Sequence, residues 1–580
     1  MNNKQHHLLY LFIFTTLISF IFLLDAFAAG SANPMSENMP EGIGAPPGAP
    51  PGAPPGAPPG APPGAPPGGF SVNAPSKAAI YIENGTENSS NEYAAGKYSG
   101  NIHSGANGIT IQNLDLFSGD YTFNGIVAVG AKTIVTLDKC KIRLGVDKAA
   151  SAKDKGGSAT AVDEGATMHI INSDLQVDGA GRYVTSNYND GTLIINDSTV
   201  TSTGSNANTS EIAEPFSNAP LLISGTARTN FSVGASKTYY FNSTCTAEGW
   251  AALSTDAAKP EGLDLYAYNS KGIALNGGYG TYADFNSRVW LYGSILSSPE
   301  IGAIISKSGL ITLADGSAAP EAVTRYNLGK TTTAGSTITA GRNAVMIHAP
   351  DMFGHGKAAA DCGTLNVINS TLATTRSLKS TRDYTATYGK AIGAYVDYTS
   401  GAAILVKSTS ANINLENTKI DSFSGIIAMT VLNSDKMGNF LADGDADSEE
   451  IKPIVISMKE MDVQGDILHM DYQRIMTLTL DNVTLKGTVV SGTMEEWNNL
   501  WSAYNRADCN WLKNESWNSY YGVRMTVKKG STWNVSGIST LSALTIENGG
   551  MVNGNIQVDG NTITPSVGKT YTGKILVTPL

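Results

Sequence analysis

The chain has 580 residues, a formal charge of -11 and only 15% charged residues. That balance argues against a nucleic-acid partner and against an anionic membrane surface, both of which select for excess Lys and Arg. The four cysteines, Cys140, Cys245, Cys362 and Cys509, are far apart and have no metal-ligand or redox spacing, which speaks against a zinc module or a redox motif.

Met1 to Ala28 has the pattern of an export leader. Lys4 supplies a weak positive start, Leu8 to Leu24 an apolar core, and Ala26-Phe27-Ala28 a small-residue cleavage site. The apolar run is short for a full membrane span, and the alternative is a retained anchor. The mature chain is expected to begin near Ala29 and to carry no transmembrane segment. Residues 29–43 are polar and irregular, so residues 29–68 are expected to be disordered. Within them Gly44 to Pro67 is six copies of Gly-Ala-Pro-Pro. A period of four fails the collagen requirement for glycine at every third residue. The segment is a proline-stiffened spacer whose reach is roughly 75 Å at about 3.1 Å per residue. It is a stalk holding the domain off a surface, or a linker with no specific role.

From Gly69 to Leu580 the composition is uniform: Gly, Ser, Thr, Asn, Val and Ile, with few charges. One pattern recurs: apolar, any, apolar, any, Asn-like, any, any, apolar. It is clearest at Leu365 to Leu372 and recurs at Ile109 to Leu116, Met168 to Leu175, Leu193 to Val200, Ile413 to Ile420 and Leu478 to Leu485. Weaker copies are Val135 to Ile142, Val289 to Leu296 and Ile311 to Ala318, with Lys139, Gly293 and Asp315 in the Asn position. Apolar residues two apart face one side of a strand, and Asn suits the tight bend that follows. Successive Asn positions lie 26, 33 and 25 residues apart from 113 to 197. Periods of this size mark solenoids, whose repeats bury their apolar faces only by stacking. Nothing in the repeats reads as a helix. A leucine-rich horseshoe would need a leucine consensus, and a propeller longer blades; an array of immunoglobulin-like sandwiches is the structural rival.

The expected fold is therefore all-β: a parallel β-helix over residues 69–580, of about 20 coils at roughly 25 residues per turn. At about 4.8 Å per coil it would be a rod near 95 Å long, less whatever its insertions remove. Asn113, Asn369, Asn417 and Asn482 are expected to bridge backbone groups between neighbouring turns.

Segments that break the rhythm carry the functional candidates. Thr201 to Ala219 is a polar loop. Thr375 to Tyr398 combines Arg376, Lys379, Arg382 and Lys390 with Tyr384, Tyr388, Tyr395 and Tyr398, an edge suited to a polyanion or a glycan unless it is a solvated return loop. Asp443, Asp445, Asp447 and Glu449 alternate in an acidic run that could collect calcium. Ser448 stands where an EF-hand loop needs Gly and Ile454 where it needs Glu, so a solvated loop is the plainer reading. Trp497, Trp501, Tyr504, Trp511, Trp517, Tyr520 and Tyr521 form the densest aromatic region and the best ligand-binding candidate, either a glycan platform or a cover over an open side of the coil. Asp138, Asp174 and Asp197 sit in or beside repeat turns, where stacking could align a carboxylate pair. The histidines, among them His348 and His355 seven residues apart, are scattered. The repeats run almost to Leu580, and neither a membrane barrel nor a wall-sorting tail is apparent.

The repeats at Leu193 to Val200, Leu365 to Leu372 and Leu478 to Leu485, with Lys529 to Val535 followed by Leu544-Thr545-Ile546, resemble right-handed parallel β-helix proteins of the pectin-lyase-like superfamily, and most closely bacterial adhesin-like surface proteins. The resemblance implies a right-handed coil. It also implies that an enzyme of this kind would use calcium-binding carboxylates with a basic residue, or several close Asp residues, and neither set maps onto this chain. The expectation is a secreted or cell-surface adhesin or structural protein, with no catalytic residue and no cofactor assigned beyond the calcium candidate. Its partners would be a glycan, a cell-surface component or further copies of itself. The alternatives are a polysaccharide lyase or glycoside hydrolase on the same scaffold, and a subunit of an extracellular filament.

Overall fold

The fold is seen in a computed structural model that describes residues 78–87, 97–145, 156–179, 182–204, 227–258, 262–284, 286–306, 308–348, 362–379, 383, 386, 396–407, 409–431, 452–471, 474–491 and 522–580. The leader and the proline-rich spacer lie outside them. Along most of the chain each strand pairs in parallel with the strand three further on, so one coil is three strands and the molecule has three long faces. This is a parallel β-helix. The first sheet runs from Ala78–Glu83 through Asn124–Val129 and Ile301–Ser306 to Ser539–Ile546, the second from Gly108–Ser118 through Lys237–Phe241 and Cys362–Ile368 to Val523–Val527, and the third from Lys141–Leu144 through Thr199–Thr203 to Lys419–Asp421.

Among the described residues fourteen strands stack in the first sheet, where sequence length alone suggests about 20 coils. The difference lies in the long stretches of sequence between consecutive strands, from His348 to Cys362, Thr374 to Ile404, Val431 to Ile454, and Ser491 to Val523. The core is one apolar column from Ala79 to Val577. Its members are the two-apart residues of the repeat; Leu365, Val367 and Leu372 are all fully buried.

The Asn position is the bend between the second and third sheets. Asn113, Asn172, Asn369, Asn417 and Asn482 hold φ between 46° and 56° there, and Lys139 and Gly293 hold 54° and 59°. Left-handed backbone of this kind is tolerated by Asn and Gly and disfavoured for most other residues. Asp315 does not follow the pattern: with φ -70° it caps a short 3-10 turn, Gly316–Ala318, where the chain leaves the coil. Three copies escape sequence reading, at Asn242, Asn269 and Glu460 (φ 51°, 47° and 52°). At the first two, Tyr240, Ala267 and Gly272 replace the aliphatic residues of the repeat.

Bridging between coils takes a different form from the expected one. The backbone N–H groups at the bend donate to backbone carbonyls of the next coil, as from Asn369 to Glu416 and from Asn417 to Lys459. The side chains form their own ladder: Asn417 Nδ2 donates to Asn369 Oδ1 at 2.8 Å, and Asn369 Nδ2 to Asp315 Oδ2 at 2.8 Å. The residue after the bend forms a second, buried ladder. The N–H groups of Cys140, Ser173, Ser198, Ser243, Ser270, Ser294 and Ser336 each donate to the serine Oγ one coil on, at 3.0–3.1 Å. Cys140 and Cys245 are buried thiols outside any disulfide. Burial pushes both thiols above the ordinary cysteine range.

Both ends of the ladder change direction. Lys97–Gly105 pairs antiparallel with Gly108–Ser118, and Thr570–Thr578 antiparallel with Ser539–Ile546. Parallel coil-on-coil stacking stops at these hairpins, which cover strand edges that would otherwise template further pairing.

Candidate ligand-binding face

The acidic run at Asp443, Asp445, Asp447 and Glu449 and the aromatic cluster from Trp497 to Tyr521 lie outside the described residues, as does most of the Thr375–Tyr398 segment. The remaining sequence candidates do not converge. Asp138 ends a strand of the second sheet and accepts from Gln112 Nε2 at 3.3 Å, whereas Asp174 opens a strand of the third sheet, 3.4 Å from Arg143 Nη2. Asp197 occupies a bend, with φ 49°. His348 is buried on the outer side of the first sheet, in register with Ser306 and Lys407 of the adjacent coils. His469 is buried with Nδ1 on the Thr430 hydroxyl at 2.7 Å and Nε2 on the Arg474 carbonyl at 2.8 Å. That carbonyl can only accept, so Nε2 carries the proton. Among the described residues no three His, Cys, Asp or Glu side chains are grouped to hold a metal ion.

What the coil does assemble is the outer face of the second sheet. Residues between the core-facing pair point outward, and register aligns them over many coils. His169, Ile194, Tyr239, Tyr266, Trp290 and Thr312 pair in succession. The same row continues through Asn366, Asn414, Ser457, Thr479, Thr526 and Thr545. Its first half carries an aromatic block, Tyr239, Tyr266 and Trp290, and its second half is polar throughout.

In the aromatic half, Tyr239 and Tyr266 stack with ring centroids 4.9 Å apart, and Tyr266 and Trp290 6.2 Å apart, each pair 9° from parallel. A coil rise of about 4.8 Å nearly matches a ring-stacking distance, so identical positions on successive coils stack on one another. Beside them Phe241, Tyr268 and Tyr292 form a second outward row that is buried. Their cover is the excursion from Gly316 to Ala334. Its Val323 joins their cluster, and Tyr326 packs on Tyr239 at 5.2 Å and a 55° tilt. Thr332 N–H donates to Tyr268 Oη at 3.0 Å. The strap reaches back to Asn196, which donates through Nδ2 to the Tyr326 carbonyl at 3.1 Å and accepts from Leu328 N–H at 3.0 Å. Asn242 donates to Asn327 at 2.9 Å.

On the other flank Arg288 grips Asp264 with both arms of its fork, at 2.6 and 2.9 Å. The hydrogen bond to Asp264 raises the Arg288 pKa. Burial, aided by Tyr326 and Asp264 and opposed by Arg325, pushes the Tyr239 hydroxyl up to about 12; Tyr266 rises for the same leading reason. These hydroxyls therefore stay protonated at any physiological pH. The Trp290 indole N–H is buried without a hydrogen-bond partner.

Among the described residues no strap crosses the polar half. Asn366 Nδ2 donates to Thr312 Oγ1 at 3.1 Å, and Asn414 Nδ2 to Asn366 Oδ1 at 2.9 Å. Asn366, Ser457, Thr479 and Thr526 are half-buried and Asn414 is exposed. The row ends at Thr545, whose hydroxyl meets that of Thr570 in the terminal hairpin at 2.8 Å. Sequence reading missed both halves. The signal was present as the middle residue of apolar-x-apolar, but it emerges only when all coils are aligned in register.

The chain matches no protein-family model and no curated protein. Among the described residues no helix is long and apolar enough to cross a membrane.

Proposed function

We propose that the protein is an exported surface protein that lays the outer face of its second sheet against an extracellular glycan. The single observation that carries this reading is the unbroken outward row from Tyr239 to Thr545, in which aromatic rings give way to amides and hydroxyls at one constant rise. A linear polymer of sugar rings offers the matching chemistry: repeated hydroxyl groups along an extended axis. The leader at Met1–Ala28 and the Gly-Ala-Pro-Pro spacer support export and display away from a surface. The likeness of the repeats to adhesin-like members of the pectin-lyase-like superfamily points the same way, at the level of scaffold.

A lyase or hydrolase on this coil would need acids and bases drawn to one place; Asp138, Asp174 and Asp197 flank one bend on three successive coils, but Asp138 is engaged by Gln112 and Asp174 by Arg143. End-to-end filament growth would require the terminal hairpins to be displaced from Gly108–Ser118 and Ser539–Ile546.

The test is fractionation of the producing cell followed by binding of the secreted full chain to a panel of polysaccharides. Surface or medium localisation with retention by at least one polymer is expected. A cytoplasmic protein, or one that binds no glycan, overturns the proposal.

A further inference from the structure

We infer that the ligand-binding part of this face is its polar half, from Asn366 to Thr545, and that it takes an uncharged polysaccharide; this rests on the glycan reading above. The two halves differ in what their side chains leave over. Tyr239, Tyr266 and Trp290 present edges, because their ring faces are spent on one another at 4.9 and 6.2 Å. The neighbouring row of Phe241, Tyr268 and Tyr292 is covered by the strap. A sugar stacks on a ring face, and in this block those faces are largely occupied.

From Asn366 onward the side chains are short, hydrogen-bonding and uncharged. Core-facing Leu365, Ile413, Ile456, Leu478, Met525 and Leu544 are buried at no more than 1% exposure, which fixes Asn366, Asn414, Ser457, Thr479, Thr526 and Thr545 on the opposite side. The Asn366–Asn414 pair uses one amide hydrogen of each residue in the ladder, leaving a second hydrogen on each. Hydroxyls follow at a rise of about 4.8 Å per coil, comparable to the length of one sugar ring. The array is a straight track of donors and acceptors running along the rod.

Among the described residues the charges flanking this track cancel. The bordering row holds Glu416, Lys459, Asp481, Lys528 and Glu547, and Arg524 stands on the other flank. Lys459 Nζ lies 2.7 Å from Glu416 and Lys528 Nζ 3.2 Å from Asp481, so each lysine meets an acid one coil away. The three acids are matched by two lysines and one arginine, and the bends beyond add one charge of each sign, Glu460 and Lys529. A polyanion would find no surplus of positive charge, while a chain of neutral hydroxyls loses nothing to repulsion.

The experiment is affinity electrophoresis of the secreted full chain through gels holding neutral polymers (amylose, hydroxyethylcellulose, galactomannan) or acidic ones (polygalacturonate, alginate), at low and high salt. Retardation by a neutral polymer, unchanged by salt, is expected. Thr479→Val with Thr526→Val, which keeps β-branched shape and removes two hydroxyls, should weaken that retention about tenfold, the scale of one or two lost hydrogen bonds. Thr246→Val, the same change on the third sheet, should leave it unchanged. Retention only by acidic polymers and only at low salt overturns the neutral assignment while the glycan reading stands. Neutral binding that the Thr479/Thr526 variant does not alter, with an unchanged melting curve, overturns the location. Binding to no polymer overturns the glycan reading itself.

Discussion

The two halves of the second sheet's outer face share one backbone and differ in one column of side chains. Between Tyr239 and Trp290 that column is aromatic, closes on itself and gains a strap; between Asn366 and Thr545 it is polar, and no described residue straps it down. The strap packs Val323 and Tyr326 on the rings, an apolar contact that helps offset the loss of chain entropy in holding Gly316–Ala334 down, and the Asn196 and Asn242 amides add hydrogen bonds to it. A parallel coil sets each position against the same position of the next coil, so like residues placed in succession meet one another. Rings then stack, amides ladder, and hydroxyls without a reciprocal partner stay available to ligand. Self-satisfaction makes scaffold, and incomplete self-satisfaction makes surface.

The sharpest way to break this contrast is Tyr268→Ala. Tyr268 is 2% exposed and bonds the strap through Thr332, so truncation should cost about 3–5 kcal/mol locally. Amide hydrogen exchange should show the strap opening while glycan retention by the polar half persists. Loss of retention together with the strap would join the halves into one site.

Asn369→Leu tests the bend ladder that runs beneath both halves. It forces Leu into φ 50° and removes the link between Asn417 and Asp315. A loss of about 2 kcal/mol is expected from left-handed strain and a missing hydrogen bond. Asn369→Gly, free of the strain, should recover about half of it on thermal denaturation. Equal loss in both variants would assign the effect to the ladder alone.

Ser243→Ala removes the acceptor for the Ser198 N–H and leaves that group buried without a partner, at a cost of about 1–2 kcal/mol. Cysteine should be the mildest replacement, since Cys140 already occupies the equivalent place with Sγ 3.3 Å from the Ile111 carbonyl. A Ser243→Cys variant melting below Ser243→Ala would refute that equivalence.

The smallest effect is expected from pH. Hydrogen bonds from Ser317 and then Asn369 hold the Asp315 carboxyl below its ordinary value of 3.8. A depressed folded pKa means that this stabilisation is complete above the unfolded pKa and disappears as pH falls through the folded one. Melting curves from pH 5 downward should therefore steepen in the wild type and flatten on the acid side in Asp315→Asn. Identical acid limbs in the two proteins would remove Asp315 as a contributor.

The coil itself was legible in the residues. Leu365-x-Val367 with Asn369 predicts a strand, an inward face and a bend, because alternation and left-handed tolerance are local properties. The serine ladder was legible in principle: Ser follows the bend residue at 173, 198, 243, 270, 294, 336 and 370. Its meaning was hidden, since a serine accepting from the next coil cannot be told from a solvated turn serine. The copies at Asn242 and Asn269 were lost to Tyr240, Ala267 and Gly272, which fit the core by neighbouring volume and not by hydrophobic pattern.

Sequence alone therefore determined the repeat, its period and its inward face, because strand alternation and bend chemistry act over a few residues. Tertiary structure decided the rest: fourteen described strands in the first sheet, reversed hairpins at both ends, and a strap that returns to Asn196 from 130 residues away. It also decided that Tyr239, Tyr266 and Trp290 are one stack. Residues that far apart in sequence become neighbours only through register, and register is set by summing core packing over every coil.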